Sequence, residues 1–167
     1  ANVKNRSTKV THTAMTTITT VGVAGMVAIA AEIKTTTNIA KIADGTPGFS
    51  PNANVVKGEQ FGVSIANLGD LNGDGVTDIA VGSDRARDIS RKGGAVFILF
   101  LNADGTVLTH HRISETSNDL PANTISPNDQ FGSALTAPGD INGDGIMDLV
   151  VAARFDDQVD RDMGAIY

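Results

Sequence analysis

The chain has no cysteine, no tryptophan, a single tyrosine and only three histidines in 167 residues. Without cysteine there are no disulfide staples and no thiolate ligands to favour a soft metal. Glutamate is limited to Glu32, Glu59 and Glu115, and none has an evident acid-base partner in the sequence. No G-x-S-x-G elbow occurs. His110 and His111 are adjacent, so on a strand they point to opposite faces and are poorly placed to share an ion. These absences argue against an enzyme. Long apolar runs are missing too: the most apolar stretch, Val21–Ala31, is too short for a membrane span and reads as a strand, with the hydrophobic part of a signal peptide as the alternative.

All but three of the 19 acidic residues are aspartate, a residue of turns and caps, and the 18 glycines are too many for a helical bundle. Threonine and valine supply β-branched residues suited to strands. The formal charge of −6 makes nucleic acid an unfitting partner. The basic residues Lys4, Arg6 and Lys9, and Arg85, Arg87, Arg91 and Lys92, read as solvated loops, with ligand contact a minority reading for the second group.

The string D-L-N-G-D-G-V-T-D at Asp70–Asp78 returns as D-I-N-G-D-G-I-M-D at Asp140–Asp148. Its flanks return in the same register: Gln60-Phe61-Gly62 as Gln130-Phe131-Gly132, and Gly94-Ala95-Val96 as Gly164-Ala165-Ile166. The unit of the chain is a repeat of about 70 residues.

Oxygen-bearing side chains at positions 1, 3, 5 and 9 of a tightly curled loop converge on one ion. The first candidate site is Asp70, Asn72, Asp74, the carbonyl of Val76, and Asp78. The second is Asp140, Asn142, Asp144, the carbonyl of Ile146, and Asp148. With a bidentate aspartate at position 9 and a water, each set reaches about seven oxygens, which suits calcium better than magnesium. Two calcium ions, one per loop, are expected, and they would bring the charge to about −2. Gly75 and Gly145 supply the positive φ of the curl. An EF-hand is excluded, because its position-12 glutamate is replaced by Val81 and Val151 and no flanking helices are indicated. Instead, Ile79-Ala80-Val81 and Leu149-Val150-Val151 read as buried strands. The competing reading of Asn72-Gly73 and Asp74-Gly75 as plain hairpin turns does not explain two copies with four aligned oxygen ligands each. Empty loops would also crowd three carboxylates.

The order F-G, then G-D-x-N-G-D-G-x-x-D, then a strand, then G-A-V or G-A-I resembles the FG-GAP repeat that builds blades of the integrin α-subunit β-propeller. The likeness covers Phe61–Ile98 and Phe131–Tyr167 closely and Gly25–Ile42 weakly, as the closing hairpin of an earlier blade. It implies an all-β fold of antiparallel β-propeller-type blades, with Phe61 and Phe131 as core residues between blades.

The expected organisation is a Thr-rich arm over 1–24, a partial blade and linker over 25–60, one repeat over 61–130 and a truncated one over 131–167. That amounts to roughly two and a half blades, while closed propellers have about four to eight. Closure would need further blades or neighbouring copies, a homo-oligomer if the chain is complete. The unfinished last blade would expose an edge that an N-terminal arm can fill.

The functional expectation is a calcium-binding, extracellular structural or adhesion module that binds protein or glycan partners. A self-assembling subunit of an extracellular filament or surface layer, and an accessory domain of a larger secreted enzyme, are the alternatives. Bound calcium takes the stabilising part that disulfides play elsewhere. Asn5 opens a glycosylation sequon of low specificity.

Overall fold

The computed structural model describes residues 40–49, 55–87, 92–117, 119–157 and 163–167. The Thr-rich arm, the apolar run Val21–Ala31 and all but the last three residues of the weak hairpin match Gly25–Ile42 lie outside them, and residues 40–42 form no strand. Among the described residues every regular element is a strand: β1 (Phe61–Gly69), β2 (Asp78–Ser83), β3 (Ala95–Leu101), β4 (Val107–Ser114), β5 (Phe131–Gly139), β6 (Asp148–Ala153) and β7 (Ala165–Ile166). They form two antiparallel meanders, a sheet ordered β1-β2-β3-β4 and a sheet ordered β5-β6-β7.

The sequence explains the order of burial. β3 reads A-V-F-I-L-F-L, with no polar alternation, because both of its faces are covered. Ala95, Phe97 and Leu99 pack with Val81, Val107 and Phe49, whereas Val96 joins Ala66, Leu68 and Ala80 against Phe131, Val151 and Ala153 of the second sheet. One face of the first sheet is therefore the joint between the sheets. The other is covered by the segment Ala40–Phe49, which has no strand and reaches the sheet through two turns. Phe49 is fully buried there, in ring contact with Phe61 (4.9 Å), Phe97 (5.6 Å) and His110 (5.2 Å).

The three repeated sequence elements meet in space. The Phe-Gly dipeptides begin β1 and β5 with a bulge, at which Gly62 and Gly132 take φ of 92° and 85°. Phe131 then forms a parallel bridge with Gly94, and its N–H donates to the Gly93 carbonyl at 2.8 Å. A Cβ on Gly94 would lie 2.1 Å from the Phe131 carbonyl oxygen, so glycine there is a condition of the joint. The F-G of one repeat is thus seated on the G-A-V of the preceding one. Phe131 is buried at the joint, as expected of a core residue between blades; Phe61 is only partly buried and packs instead on the Phe49 side of the first sheet, away from the joint.

Candidate metal centres

Each aspartate-rich loop joins the first two strands of its sheet. The first leaves β1 at Gly69 and enters β2 at Asp78, and these two residues are paired across the ladder. The second spans Gly139 to Asp148, paired in the same way. The loop ends are therefore fixed by strand pairing, and the curl between them is fixed by side chains.

Asp70 is the organiser of the first loop. Its Oδ1 accepts from the N–H groups of Gly73 (2.8 Å) and Asp74 (3.0 Å), and its Oδ2 from Gly75 (2.8 Å). Asn72 Oδ1 accepts from Asp74 N–H at 2.9 Å, and Asp74 Oδ1 from Val76 N–H at 2.8 Å. These are turns in which an Asx side chain captures the backbone two to five residues on. Gly73 and Gly75 take φ of 78° and 84° with open space where a Cβ would stand, so they are glycines for conformation and not for clearance.

The second loop repeats the pattern. Asp140 accepts from Gly143 (2.6 Å), Asp144 (3.1 Å) and Gly145 (2.8 Å), Asn142 from Asp144 (2.8 Å), and Asp144 from Ile146 (2.8 Å). The N–H of Gly145 leads in holding the exposed Asp140 carboxyl below the usual carboxylate range, with those of Gly143 and Asp144 acting the same way.

Position 9 is where the loops meet the sheets. Asp78 is fully buried; its Oδ2 accepts from Leu71 N–H (3.0 Å) and its Oδ1 from Leu101 N–H at the end of β3 (3.1 Å). Asp148 is half-buried and accepts from Ile141 N–H (2.6 Å) and from the Asn142 side-chain amide (3.3 Å). The side chains expected to bind metal thus lie in one curled loop per sheet, with the position-9 carboxylate turned back onto position 2. They are not drawn into a tight cage: among the described residues no group of three or more His, Cys, Asp or Glu has metal-holding proximity. The donor set fits a hard cation in its chemistry, being all oxygen: Asp70 Oδ1 and Asp140 Oδ1 each already accept two N–H bonds, but Asp70 Oδ2, Asp140 Oδ2, Asp74 Oδ1 and Asp144 Oδ1 accept one each and keep a lone pair.

The two histidines go separate ways. The His110 ring lies on Phe49 with Nδ1 3.2 Å from the Gly48 carbonyl, while His111 Nε2 lies 3.0 Å from Asp119 Oδ1. Glu59 is buried and structural, its two oxygens accepting from Val56 and Arg87 N–H at 3.1 Å each.

One group escaped sequence reasoning. Asp129 and Asp156 are both buried, and the Tyr167 hydroxyl donates to Asp156 Oδ2 at 2.6 Å. The signal was available, because these positions are occupied by Glu59, Ala86 and Phe97 one repeat earlier. Only position-by-position comparison of the repeats reveals it.

Two meandering antiparallel sheets, each opening with a Phe-Gly bulge and carrying an aspartate loop between its first strands, define a repeat protein of blade-like units. The FG-GAP-like repeat family model matches residues 70–151. The chain belongs to the FG-GAP repeat family, and its sheets are propeller blades in an open, partial set. It is 33% identical to human integrin alpha-E over 118 residues, 68% of this chain and 9% of that protein. It is 37% identical to Drosophila melanogaster integrin alpha-PS5 over 100 residues (58% and 9%), and 31% identical to Xenopus laevis integrin alpha-4 over 110 residues (66% and 10%). The chain thus spans a tenth or less of the length of these relatives.

Proposed function

We propose that the chain is an extracellular adhesion-type module whose two aspartate loops each bind one calcium ion. The observation that carries this reading is the repetition of the loop geometry. Asp70 and Asp140 make the same three backbone hydrogen bonds, and Asp78 and Asp148 both close back onto position 2. Asp70, Asn72, Asp74, the Val76 carbonyl and Asp78 would hold one ion, and Asp140, Asn142, Asp144, the Ile146 carbonyl and Asp148 the other. Bound calcium would supply positive charge among three carboxylates that otherwise repel.

The role of the loops follows from where they are anchored. Asp78 touches position 2 of its loop and the last residue of β3, so fixing the loop fixes the register of β1, β2 and β3 together. That would rigidify a surface for protein or glycan partners, of which the likeness to integrin alpha chains supports protein. Calcium loops of modest affinity fill where calcium is abundant, which supports a location outside the cell. In this reading it is not an enzyme, since its buried Glu59 is committed to backbone N–H groups. Among the described residues no helix is long and apolar enough to cross a membrane.

Calorimetric titration with calcium tests the proposal directly. The parent should take up two ions, and Asp74→Ala and Asp144→Ala one each. Absence of binding by the parent at millimolar calcium would overturn it.

A further inference from the structure

The two repeats diverge most sharply inside the second blade. In the first, the Glu59 side chain is long enough to satisfy both carboxylate oxygens, one on Val56 N–H three residues back and one on Arg87 N–H in the turn after β2. Asp129 stands at the same repeat position with one methylene less. It keeps the first bond, Ser126 N–H to Oδ2 at 2.6 Å, but its buried Oδ1 has no hydrogen-bond partner. Where the first blade then packs the apolar Ala86 and Phe97, the second has Asp156 and Tyr167.

An orphaned buried carboxylate oxygen is costly unless it is neutralised. Among the described residues the charges that bear on Asp129 are negative: Asp156 and Asp157 from the turn after β6, and Glu115 just after β4. The nearby Arg154 guanidinium is engaged elsewhere, with Nε donating to Gln130 Oε1 at 2.6 Å and Nη2 3.5 Å from Asp84 Oδ2. The Tyr167 hydroxyl is directed to Asp156 and to the Thr124 carbonyl. Burial first, then its bond to Asp156 and the charge there, hold that hydroxyl protonated well above the ordinary range. The same turn is tied to Asp129 through the backbone, by Phe155 N–H to the Asp129 carbonyl at 3.1 Å.

We propose that Asp129 and Asp156 form a proton-operated latch in the second blade: protonation of Asp129 holds the turn after β6 against the turn before β5, and its ionisation loosens that contact. The latch is independent of the calcium reading. Burial, followed by the neighbouring carboxylates, raises the Asp129 carboxyl from 3.8 to about 6, while its bond from Ser126 N–H opposes the rise. Its folded-state value exceeds its unfolded one. The stabilising contribution is therefore complete below about pH 3.8 and is lost as pH rises through about 6.

The test compares thermal unfolding of the parent with Asp129→Asn from about pH 4 to about pH 8 at fixed calcium. Both chains carry the same aspartate loops, so the pH response of those loops cancels in the difference. Asparagine mimics the protonated acid. The variant should match the parent at the acid end and melt at least ~2 °C higher at the alkaline end. A gap of the same size at both ends would overturn the latch. Asp129→Glu restores the longer carboxylate of Glu59 and should flatten the pH response; retention of the full parental response would also overturn it. Should the variants fail to fold, carbon-13 titration of the Asp129 carboxyl in the parent decides. A midpoint near 6 marks an acid on the order of 100-fold weaker than ordinary, and a midpoint near 3.8 refutes the proposal.

Discussion

Gly82→Ala is the sharpest probe of the joint between the blades. Gly82 sits in β2, opposite Ser64 in the ladder, with an ordinary strand backbone, so an alanine there meets no conformational penalty of its own. Its Cβ would nevertheless lie 2.1 Å from the Gly132 carbonyl oxygen and 2.1 Å from Ser64 Oγ. Contact at van der Waals distance requires the second blade to retreat by about 1 Å, because close-packed interiors do not absorb an added methyl. That movement breaks the bond Ser64 Oγ donates to the Gly132 carbonyl at 2.7 Å. Overpacking costs about 1–3 kcal/mol and the lost hydrogen bond about 1 kcal/mol. At about 2–4 °C per kcal/mol for a chain of this size, the melting midpoint should fall by roughly 10 °C. Differential scanning calorimetry in calcium measures it. Ser64→Ala alone should cost only the hydrogen bond, and the double variant should cost less than the sum, since removing the hydroxyl frees one of the two obstructions. Ala152→Gly, at the equivalent position of the second blade, carries no such clash to relieve. A Gly82→Ala protein melting within ~1 °C of the parent would refute the close approach of the blades at this point.

Further outcomes follow from other parts of the structure. Asp74→Ala and Asp144→Ala should each reduce the rise in melting midpoint between chelator and calcium, a rise that mass action sets at about 2.7 kcal/mol per site at a hundredfold excess over Kd; equal rises in parent and variants would count against the metal loops. Phe97→Ala removes a fully buried ring that contacts Phe49 and Phe61, and should cost about 3–5 kcal/mol in urea unfolding. Gly48→Ala would place a Cβ 1.8 Å from the Val107 carbonyl oxygen at a φ of 79°, so it should release the segment Ala40–Phe49 and speed proteolysis there without melting the sheets. Ile65→Ser, by contrast, changes a side chain that is 62% exposed and should move the melting midpoint by less than ~2 °C.

What the sequence made legible follows from the physics of repetition. The aspartate loops and the apolar runs after them stand out because both copies share a local chemistry: Asx turns at Asp70 and Asp140, and strands beyond them, of which β2 is buried and β6, expected to be buried too, is mostly half-buried, Leu149 and Val150 included. The double cover of β3 was not read from the sequence, although its unbroken apolar run A-V-F-I-L-F-L carries the signal. The cover over the first sheet was not legible, because the segment 40–49 has no periodicity and its fully buried anchor, Phe49, acquires meaning only against Phe61, Phe97 and His110. Non-local contacts also hide the reason for Gly94 and Gly82, whose missing side chains make room for residues of the other blade. Within the loops the sequence indicated which oxygen-bearing side chains share one curl, and the structure adds that Asp78 and Asp148 close onto position 2 while, among the described residues, no three acidic groups gather at metal-holding distance.

Comparison of the two repeats separates what a blade requires from what each blade adds. The bulge glycines Gly62 and Gly132, the left-handed Gln60 and Gln130 at φ of 57° and 58°, and the aspartate loops are common to both. The joint residues are not: Ser64 and Gly82, which clasp the next blade in the first repeat, become Ala134 and Ala152 in the second. The two changes are physically consistent with each other, because a carbonyl that no hydroxyl draws inward needs no glycine to admit it. Whatever packs on that face of the second blade must therefore sit farther out than the second blade sits on the first. The interior replacement of Ala86 and Phe97 by Asp156 and Tyr167 adds a polar contact to the second blade, beside the ring contact of Tyr167 with Phe131 at 5.7 Å and the apolar cluster at the joint.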